Sequence, residues 1–145
     1  MKNIFTKICI SSDHAGYELK EKIKDYLVNK SISVIDLGPF SKDSVDYPDY
    51  AKKVAKRLIL QKSDVGILIC GSGTGMAITA NKFKGVRAAQ CYNKVSTILS
   101  RQHNNSNIIC LGSRMLKYKD AFKYVTYFLN TKFNGGRHQK RVDKI

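Results

Sequence analysis

The stretch ILICGSGTGM, residues 67–76, decides the fold. Three aliphatic residues predict a buried strand, and the chain then places Cys70 before glycines at alternate positions. A strand that ends in a glycine-rich turn and leads into a helix offers several backbone N–H groups to a small anion. The segment therefore predicts an anion cradle with a thiol beside it, although the glycines alone would also suit tight strand-to-helix packing.

Two nucleotide-binding motifs fail on this segment. The dinucleotide fingerprint G-x-G-x-x-G needs a glycine at its sixth position, but counting from Gly71 that position is Met76. The phosphate-binding loop G-x-x-x-x-G-K-[ST] needs a lysine before a hydroxyl residue, and no such pair follows the glycines. A small anion is therefore the predicted ligand of the cradle.

Outward from this segment, short apolar runs alternate with stretches of helical spacing. Strands are predicted at 7–12, 33–38, 65–70, 86–91 and 107–112. Helices are predicted after Asp13, just after Pro48, at 76–83, over 94–102 and around 121–129. The alternation predicts an α/β protein with a three-layer α/β/α, Rossmann-like architecture and a five-stranded parallel sheet covered by helices on both faces. Residues 1–145 are expected to form a single domain with a basic C-terminal tail from about 132.

Composition argues against several other classes of protein. The net charge is +15, from 26 Lys and Arg against 11 Asp and Glu, but the lysines are spread along helix-like stretches, which favours a solvated surface over a nucleic-acid site. No apolar stretch is long enough to span a membrane, and the first residues resemble a strand rather than a signal peptide, so a cytoplasmic protein is expected. The four cysteines lie in or at the end of apolar runs without C-x-x-C spacing, so neither a disulfide nor a zinc site is predicted.

Polar residues lie where a parallel sheet of this type binds its ligands, beyond the carboxyl ends of the strands. Asp13 follows the first predicted strand, and Cys70 with its loop ends the third. All three histidines, His14, His103 and His138, fall in polar segments between elements or in the tail. We therefore expect the histidines to share one polar site.

Cys70 is the first candidate for chemistry. At the start of a helix, the positive end of the backbone dipoles favours a thiolate, which would serve either as a nucleophile or as a general base. Acyl transfer would need a histidine paired to the sulfur. Proton abstraction next to a carbonyl would need a second acid or base, which His103 or His14 would supply. Without the glycines, Cys70 would be taken for a buried strand cysteine like Cys110.

The tail segment GGRHQKRV, residues 135–142, concentrates cations. Arg137 and Arg141 are four residues apart and lie on one side of a helical turn, and their guanidinium groups suit phosphate. Proton abstraction next to a carbonyl would form an enediolate in the cradle, and beside such a site the tail suggests a phosphorylated substrate.

Seven segments in chain order resemble ribose-5-phosphate isomerase type B: SDHAG, DYPDYA, ICGSGTGM, ITANKFKGVRAA, SRQHNNSN, LGSR and GGRHQKRV. The resemblance covers nearly the whole chain, and the wider family includes the galactose-6-phosphate isomerase subunits. It implies a Rossmann-like homodimer, with a tetramer also open, whose active sites are built from both subunits. The implied reaction is the cofactor-free interconversion of ribose 5-phosphate and ribulose 5-phosphate in the pentose phosphate pathway, with no metal.

The resemblance also implies roles for individual residues. Cys70 would take the proton from C2 of the open-chain sugar, His103 would open the furanose ring, and the Ser72 hydroxyl would help to hold the enediolate. Some members carry a glutamate base in the glycine loop instead, but residues 76–78 contain no carboxylate, which implies the cysteine form. The remaining implied substrate contacts are Asp13, Tyr47, Gly71, Gly73, Thr74, Gly75, Asn104 and Arg114, with His14, Arg137 and Arg141 at the phosphate.

Two alternatives to a pentose phosphate isomerase stay open at this stage. One is an isomerase of a six-carbon sugar phosphate, such as allose or galactose 6-phosphate. The other is a non-catalytic sugar-phosphate-binding protein, against which Cys70 and His103 speak because such a protein needs neither. No nucleic-acid partner and no membrane partner are expected.

Overall fold

A five-stranded parallel sheet forms the centre of the molecule. The computed structural model describes residues 3–145. The strands are β1 (Ile8–Ser12), β2 (Val34–Asp36), β3 (Val65–Cys70), β4 (Ala88–Gln90) and β5 (Ile108–Gly112). They lie in the order β2-β1-β3-β5-β4, and every neighbouring pair is parallel. The predicted sheet is confirmed, and the carboxyl ends of all its strands meet at one edge.

Helices cover both faces of this sheet. They are α1 (Tyr17–Asn29), α2 (Tyr47–Ile59), α3 (Thr74–Ala80), α4 (Lys94–Gln102), α5 (Tyr118–Asn130) and α6 (Gln139–Val142), with a 3-10 turn at Gly136–His138. Helices α1 and α5 pack on one face, α2 and α3 pack on the other, and α4 lies against α5. The three-layer architecture is therefore confirmed. Within residues 3–145, no helix combines the length and apolar character needed to cross a bilayer.

Side chains alternate along each central strand, so every strand contributes to both layers of core. In β3, Ile67 and Ile69 face α1 and α5, whereas Leu68 and Cys70 face α2 and α3. In the register of the sheet, Cys70 lies opposite Gly112 of β5. The alternation therefore fixes the side of the sheet on which the thiol lies.

The two edge strands, β2 and β4, are shorter than predicted, and side chains bond backbone groups beside each of them. Just after β2, backbone hydrogen bonds to β1 continue through Leu37 and Gly38, and the N–H of Gly38 donates to Oδ1 of Asp36 over 2.8 Å. Before β4, the N–H of Arg87 donates to Oδ1 of Asn107 over 2.8 Å. The Asn81 amide bonds both backbone groups of Ala88 in β4, at 2.8 and 2.9 Å. An asparagine thus covers an edge that would otherwise be open to pairing.

Two helices begin earlier than the sequence predicts. Helix α2 starts at Tyr47, one residue before Pro48, because the first turn of a helix does not need the N–H that proline lacks. Helix α3 starts at Thr74, inside the glycine loop, rather than at Met76. Both starts therefore lie closer to the carboxyl edge of the sheet than predicted.

A buried lysine ties α1 to the edge strand β2. Lys20 is fully enclosed, and its Nζ lies 2.7 Å from Oδ2 of Asp36. Lys24 Nζ lies 2.6 Å from the same oxygen, and both ammonium groups also contact Glu21. Burial by itself would raise the pKa of Asp36, but the hydrogen bonds from Lys20 and Lys24 outweigh that effect and hold the pKa below its ordinary value.

Replacing Asp36 by alanine is expected to lower the free energy of unfolding by about 3 kcal/mol, because the buried Lys20 ammonium loses its closest partner. Urea denaturation followed by circular dichroism measures the change. The matched control is Glu18→Ala, which breaks an exposed lysine pair and should leave the unfolding curve in place. Equal effects of the two substitutions would contradict the role given to Asp36.

The same ion pair also has a predictable dependence on pH. Because folding lowers the pKa of Asp36, its contribution to stability is complete above the unfolded value of 3.8. That contribution is lost as the pH falls through the still lower folded value.

Candidate active site

The sulfur of Cys70 lies at the carboxyl edge of the sheet, where the glycine loop begins. Cys70 ends β3 and is 4% exposed. The backbone N–H of Gly73 donates a hydrogen bond to Sγ over 3.1 Å. Gly73 has a φ of +82°, a left-handed conformation that favours glycine and turns the chain back over the sulfur. The loop thus brings a backbone donor to the thiol, where it stabilises negative charge.

An open cleft of about 450 Å³ lies beside Cys70. It lies at the carboxyl ends of β1 and β3, the two strands between which the chain changes direction across the sheet. Open α/β sheets bind their ligands at this switch point. The residues that line the cleft are Asp13, Tyr47, Cys70, Gly71, Ser72, Thr74, Gly75, Ile78, Arg114 and Met115.

A tyrosine and an arginine flank the glycine loop. A Cβ atom at Gly75 would lie 2.5 Å from Cε2 of Tyr47, so only glycine lets the ring pack this closely. On the other side, a Cβ atom at Gly71 would lie 2.9 Å from Nη1 of Arg114, so the guanidinium packs directly against the loop. A phenol and a guanidinium therefore border the loop, and both are donors suited to a developing oxyanion.

Asp13 and His14 follow β1 at the same edge. Asp13 is buried and accepts the N–H of Gly16 through Oδ1 over 2.9 Å, so this bond uses only one of its two carboxylate oxygens. His14 is exposed, and its Nδ1 lies 3.1 Å from both the N–H and the carbonyl oxygen of Val45. Val45 shortly precedes Tyr47 in the chain. His14 therefore lies beside the cleft, against the segment that leads to the tyrosine, and is not part of the lining.

Gln90, in the outermost strand β4, forms hydrogen bonds to the glycine loop. This residue was not identified from the sequence. It is the last residue of β4, and its Nε2 lies 2.8 Å from the carbonyl oxygen of Ser72 and 2.7 Å from Oγ1 of Thr74. The rule that polar groups at strand ends bind ligands would have selected Gln90 if the predicted strand had ended there. Ile78 and Met115 were also missed, because apolar side chains carry no chemical signal.

A second polar cluster is formed by the end of α4 and the tail. His103 caps the carboxyl end of α4, and its ring stacks on that of His138 with 4.2 Å between centroids. The tail is joined to this helix end, since the N–H of Asn134 donates to the carbonyl of Gln102. The pKa of His138 lies below its ordinary value because of desolvation and the nearby charges of His103, Arg137 and Arg141.

The cations of this cluster are available to an external anion. Arg137 and Arg141 are exposed, and neither forms an ion pair with a carboxylate within residues 3–145. Asn104, next to His103, lines a separate cavity of about 330 Å³ beside the start of β4.

The predicted site residues around Cys70 and those around His103 lie at opposite ends of the strands, at the carboxyl edge and the amino edge of the sheet. Helix α4 leaves the carboxyl end of β4 and returns to the start of β5, so His103 and Asn104 lie at the amino edge. The neighbouring Asn107 confirms this placement, since its backbone N–H donates to the carbonyl of Arg87 just before β4. Cys70 and its cleft lie at the carboxyl edge. One chain therefore does not bring the three histidines into a shared site.

The four thiols have different surroundings. Burial raises the pKa of Cys9 to about 11, and it also raises the pKa values of Cys91 and Cys110. All four cysteines are free thiols. Of the four, Cys70 lines the cleft, while the other three are packed in the core. Residues 3–145 also hold no group of three or more His, Cys, Asp or Glu side chains placed to bind a metal ion.

The fold and the site together define a class: an α/β protein with a thiol and a glycine loop in a cleft at the switch point of its sheet. A sequence profile of the Ribose/Galactose Isomerase family matches residues 8–145, and the chain belongs to this family. The resemblance predicted from the sequence is therefore confirmed.

Individual relatives agree with this membership along nearly their whole length. Ribose-5-phosphate isomerase B of Escherichia coli strain K12 is 45% identical over 139 residues, which cover 96% of this chain and 93% of the relative. A ribose 5-phosphate isomerase from Thermotoga maritima, known from its crystal structure, is 51% identical in sequence to this chain, with a TM-score of 0.94 and 96% of both chains covered. The Mycoplasma genitalium ribose-5-phosphate isomerase B, crystallised with bound ribulose-5-phosphate, is 47% identical, with a TM-score of 0.89 and coverage of 94% and 91%.

Proposed function

We propose that this chain is a ribose-5-phosphate isomerase that interconverts ribose 5-phosphate and ribulose 5-phosphate with Cys70 as the base. The observation that carries the proposal is the thiol beside the cleft with the Gly73 N–H on its sulfur. The similarity to relatives with this activity supports the same substrate, and the bound ribulose-5-phosphate is a property of the Mycoplasma enzyme. The four free thiols suit a reducing compartment, so we place the activity in the cytoplasm.

The proposed reaction is a proton transfer between adjacent carbons. The Cys70 thiolate removes the proton from C2 of the open-chain aldose, and the C2–H electrons form the C1–C2 double bond of an enediolate. The same proton returns to C1, while a proton on the sugar oxygens moves from O2 to O1, so that no atom is gained or lost. The glycine loop and the Arg114 guanidinium stabilise the negative charge that develops on these oxygens.

We propose further that the site is completed by a second copy of this chain. His103, Asn104, Arg137 and Arg141 are available at the amino edge, and none of these four residues lines the cleft at the carboxyl edge of the same chain. A homodimer in which the amino edge of one chain faces the cleft of the other would add these residues to the site. His103 would then open the furanose ring, and the arginines would bind the phosphate.

Turnover of ribose 5-phosphate by the purified protein, with EDTA present, tests the proposed function. Conversion to ribulose 5-phosphate is the expected result. Allose and galactose 6-phosphates serve as competing substrates in the same assay. Preference for either would mean that the natural substrate is a six-carbon sugar phosphate. No turnover of any of the three would favour a non-catalytic sugar-phosphate-binding protein.

Arg137→Ala is expected to raise KM for ribose 5-phosphate about tenfold or more and to change kcat little. The phosphate is remote from C1 and C2, so its contacts bind the substrate and the transition state equally. Steady-state kinetics measures both constants. Lys140→Ala is the matched control, because it removes a neighbouring tail cation without the bidentate geometry of a guanidinium, and a smaller rise in KM is expected. An unchanged KM in Arg137→Ala would refute the assignment.

A further inference from the structure

We propose that Gln90 is a positioning residue for the isomerase reaction, which orients both the backbone donor to Cys70 and the hydroxyl of Thr74. This inference rests on the proposed function and adds a residue to it. Gln90 does not line the cleft, so it acts through the loop rather than on the sugar.

The direction of the Gln90 amide follows from the chemistry of its partners. The carbonyl oxygen of Ser72, 2.8 Å away, can only accept a hydrogen bond, so the amide must present its NH₂ group and not its oxygen. The second N–H then donates to Oγ1 of Thr74 over 2.7 Å. Both protons of the amide are therefore used, and the geometry allows one orientation.

The first of these bonds reaches Cys70 through a single peptide unit. The carbonyl of Ser72 and the N–H of Gly73 belong to the same planar group and point in opposite directions. Gln90 holds the carbonyl end, and the N–H end donates to Sγ of Cys70 over 3.1 Å. Rotation of this peptide would break both bonds, so Gln90 fixes the donor that faces the sulfur. Hydrogen bonds at the two ends of one peptide also polarise each other.

The second bond sets the role of the Thr74 hydroxyl. Because Oγ1 accepts from Gln90, the hydroxyl proton is left to donate elsewhere. Within residues 3–145 that proton has no hydrogen-bonded acceptor, and Thr74 lines the cleft. The hydroxyl therefore serves as a donor to a sugar oxygen, next to the backbone N–H groups of the loop.

The test compares Gln90→Met with the wild-type enzyme. Methionine keeps the length of the side chain and removes both N–H donors. We expect kcat for ribose 5-phosphate to fall about tenfold while KM stays within about twofold, because the lost orientation matters to the enediolate and not to the phosphate. Affinity for a hydroxamate analogue of the enediolate, measured by competitive inhibition, should fall by a similar factor.

A double substitution separates positioning from a general loss of structure. If Gln90 acts partly through Thr74, the loss of kcat in Gln90→Met with Thr74→Val should be smaller than the product of the two single losses. Gln61→Met makes the same change at an exposed position after α2 and should leave kcat, KM and inhibitor affinity unchanged. If Gln90→Met does not fold, Thr74→Ser should retain most activity and Thr74→Val should lose it.

Distinct outcomes overturn this inference and the proposed function. An active wild-type enzyme with unchanged kcat in Gln90→Met overturns the inference alone, as does equal activity of Thr74→Ser and Thr74→Val. Multiplicative losses in the double variant, with inhibitor affinity intact, also overturn it. A wild-type enzyme with no turnover of ribose 5-phosphate overturns the proposed function and this inference with it.

Discussion

Replacing Cys70 by alanine is expected to lower kcat for ribose 5-phosphate by about 10³-fold, with KM changed by no more than a few fold. Proton transfer by a positioned base typically contributes about 10² to 10⁴ in rate, and alanine leaves no group that can take the C2 proton. The cleft keeps its other polar residues, including Asp13, Tyr47 and Arg114, so the ground-state affinity for the sugar phosphate is retained.

The measurement is a steady-state assay of wild-type and variant enzyme side by side, with EDTA present. Cys91→Ala is the matched control, because Cys91 is equally buried but is packed in the core away from the cleft. This control should lose some stability and keep its kcat. If the Cys70→Ala enzyme has the kcat of the wild type, the thiol is not the base, whatever the KM of the variant.

Mixing two inactive variants, Cys70→Ala and His103→Ala, is expected to restore about a quarter of wild-type activity. In a symmetric dimer whose sites combine the cleft of one chain with the amino edge of the other, a mixed dimer holds one intact site and one doubly altered site. Random assortment makes half of the dimers mixed, which leaves about one intact site in four. Activity would thus appear from two preparations that have almost none.

The variants can be co-expressed with two different affinity tags, and the mixed dimers can be purified through both. This purified fraction should show about half of wild-type activity, because every mixed dimer holds one intact site of two. The control mixture is Cys70→Ala with Asp13→Ala, since both residues belong to the same cleft and no combination of these chains gives an intact site. Recovery in the first mixture but not in the second would show that the site is shared. If the first mixture stays inactive while each variant still forms dimers, His103 belongs to the cleft of its own chain or to no site.

The central strands were predictable because their burial on both faces leaves continuous apolar runs in the sequence. Residues 65–70 and 107–112 show this pattern and agree with β3 and β5 within one residue. The edge strand β4 was harder, since the N–H of Arg87 just before it donates to Asn107, which is 20 residues away in the chain. No local pattern records such a contact, so the predicted strand ran too long.

The chemistry of the site was easier to predict than its arrangement. Asp13 directly follows β1 and Cys70 ends β3, so chain order alone places them at the carboxyl edge. His103 follows a helix and precedes β5, so the same reasoning places it at the amino edge. The expectation of one shared histidine site overlooked this difference, because it considered residue types without the direction of the elements between them.

The unequal surroundings of the four thiols also matter for covalent pharmacology. Cys9, Cys91 and Cys110 are enclosed in packed core, and their raised pKa values keep them protonated. A mild electrophile attached to a sugar-phosphate mimic would meet a single addressable sulfur in each chain, that of Cys70 in the cleft. Selectivity among the thiols would then come from the placement of the warhead, and its intrinsic reactivity could be kept low.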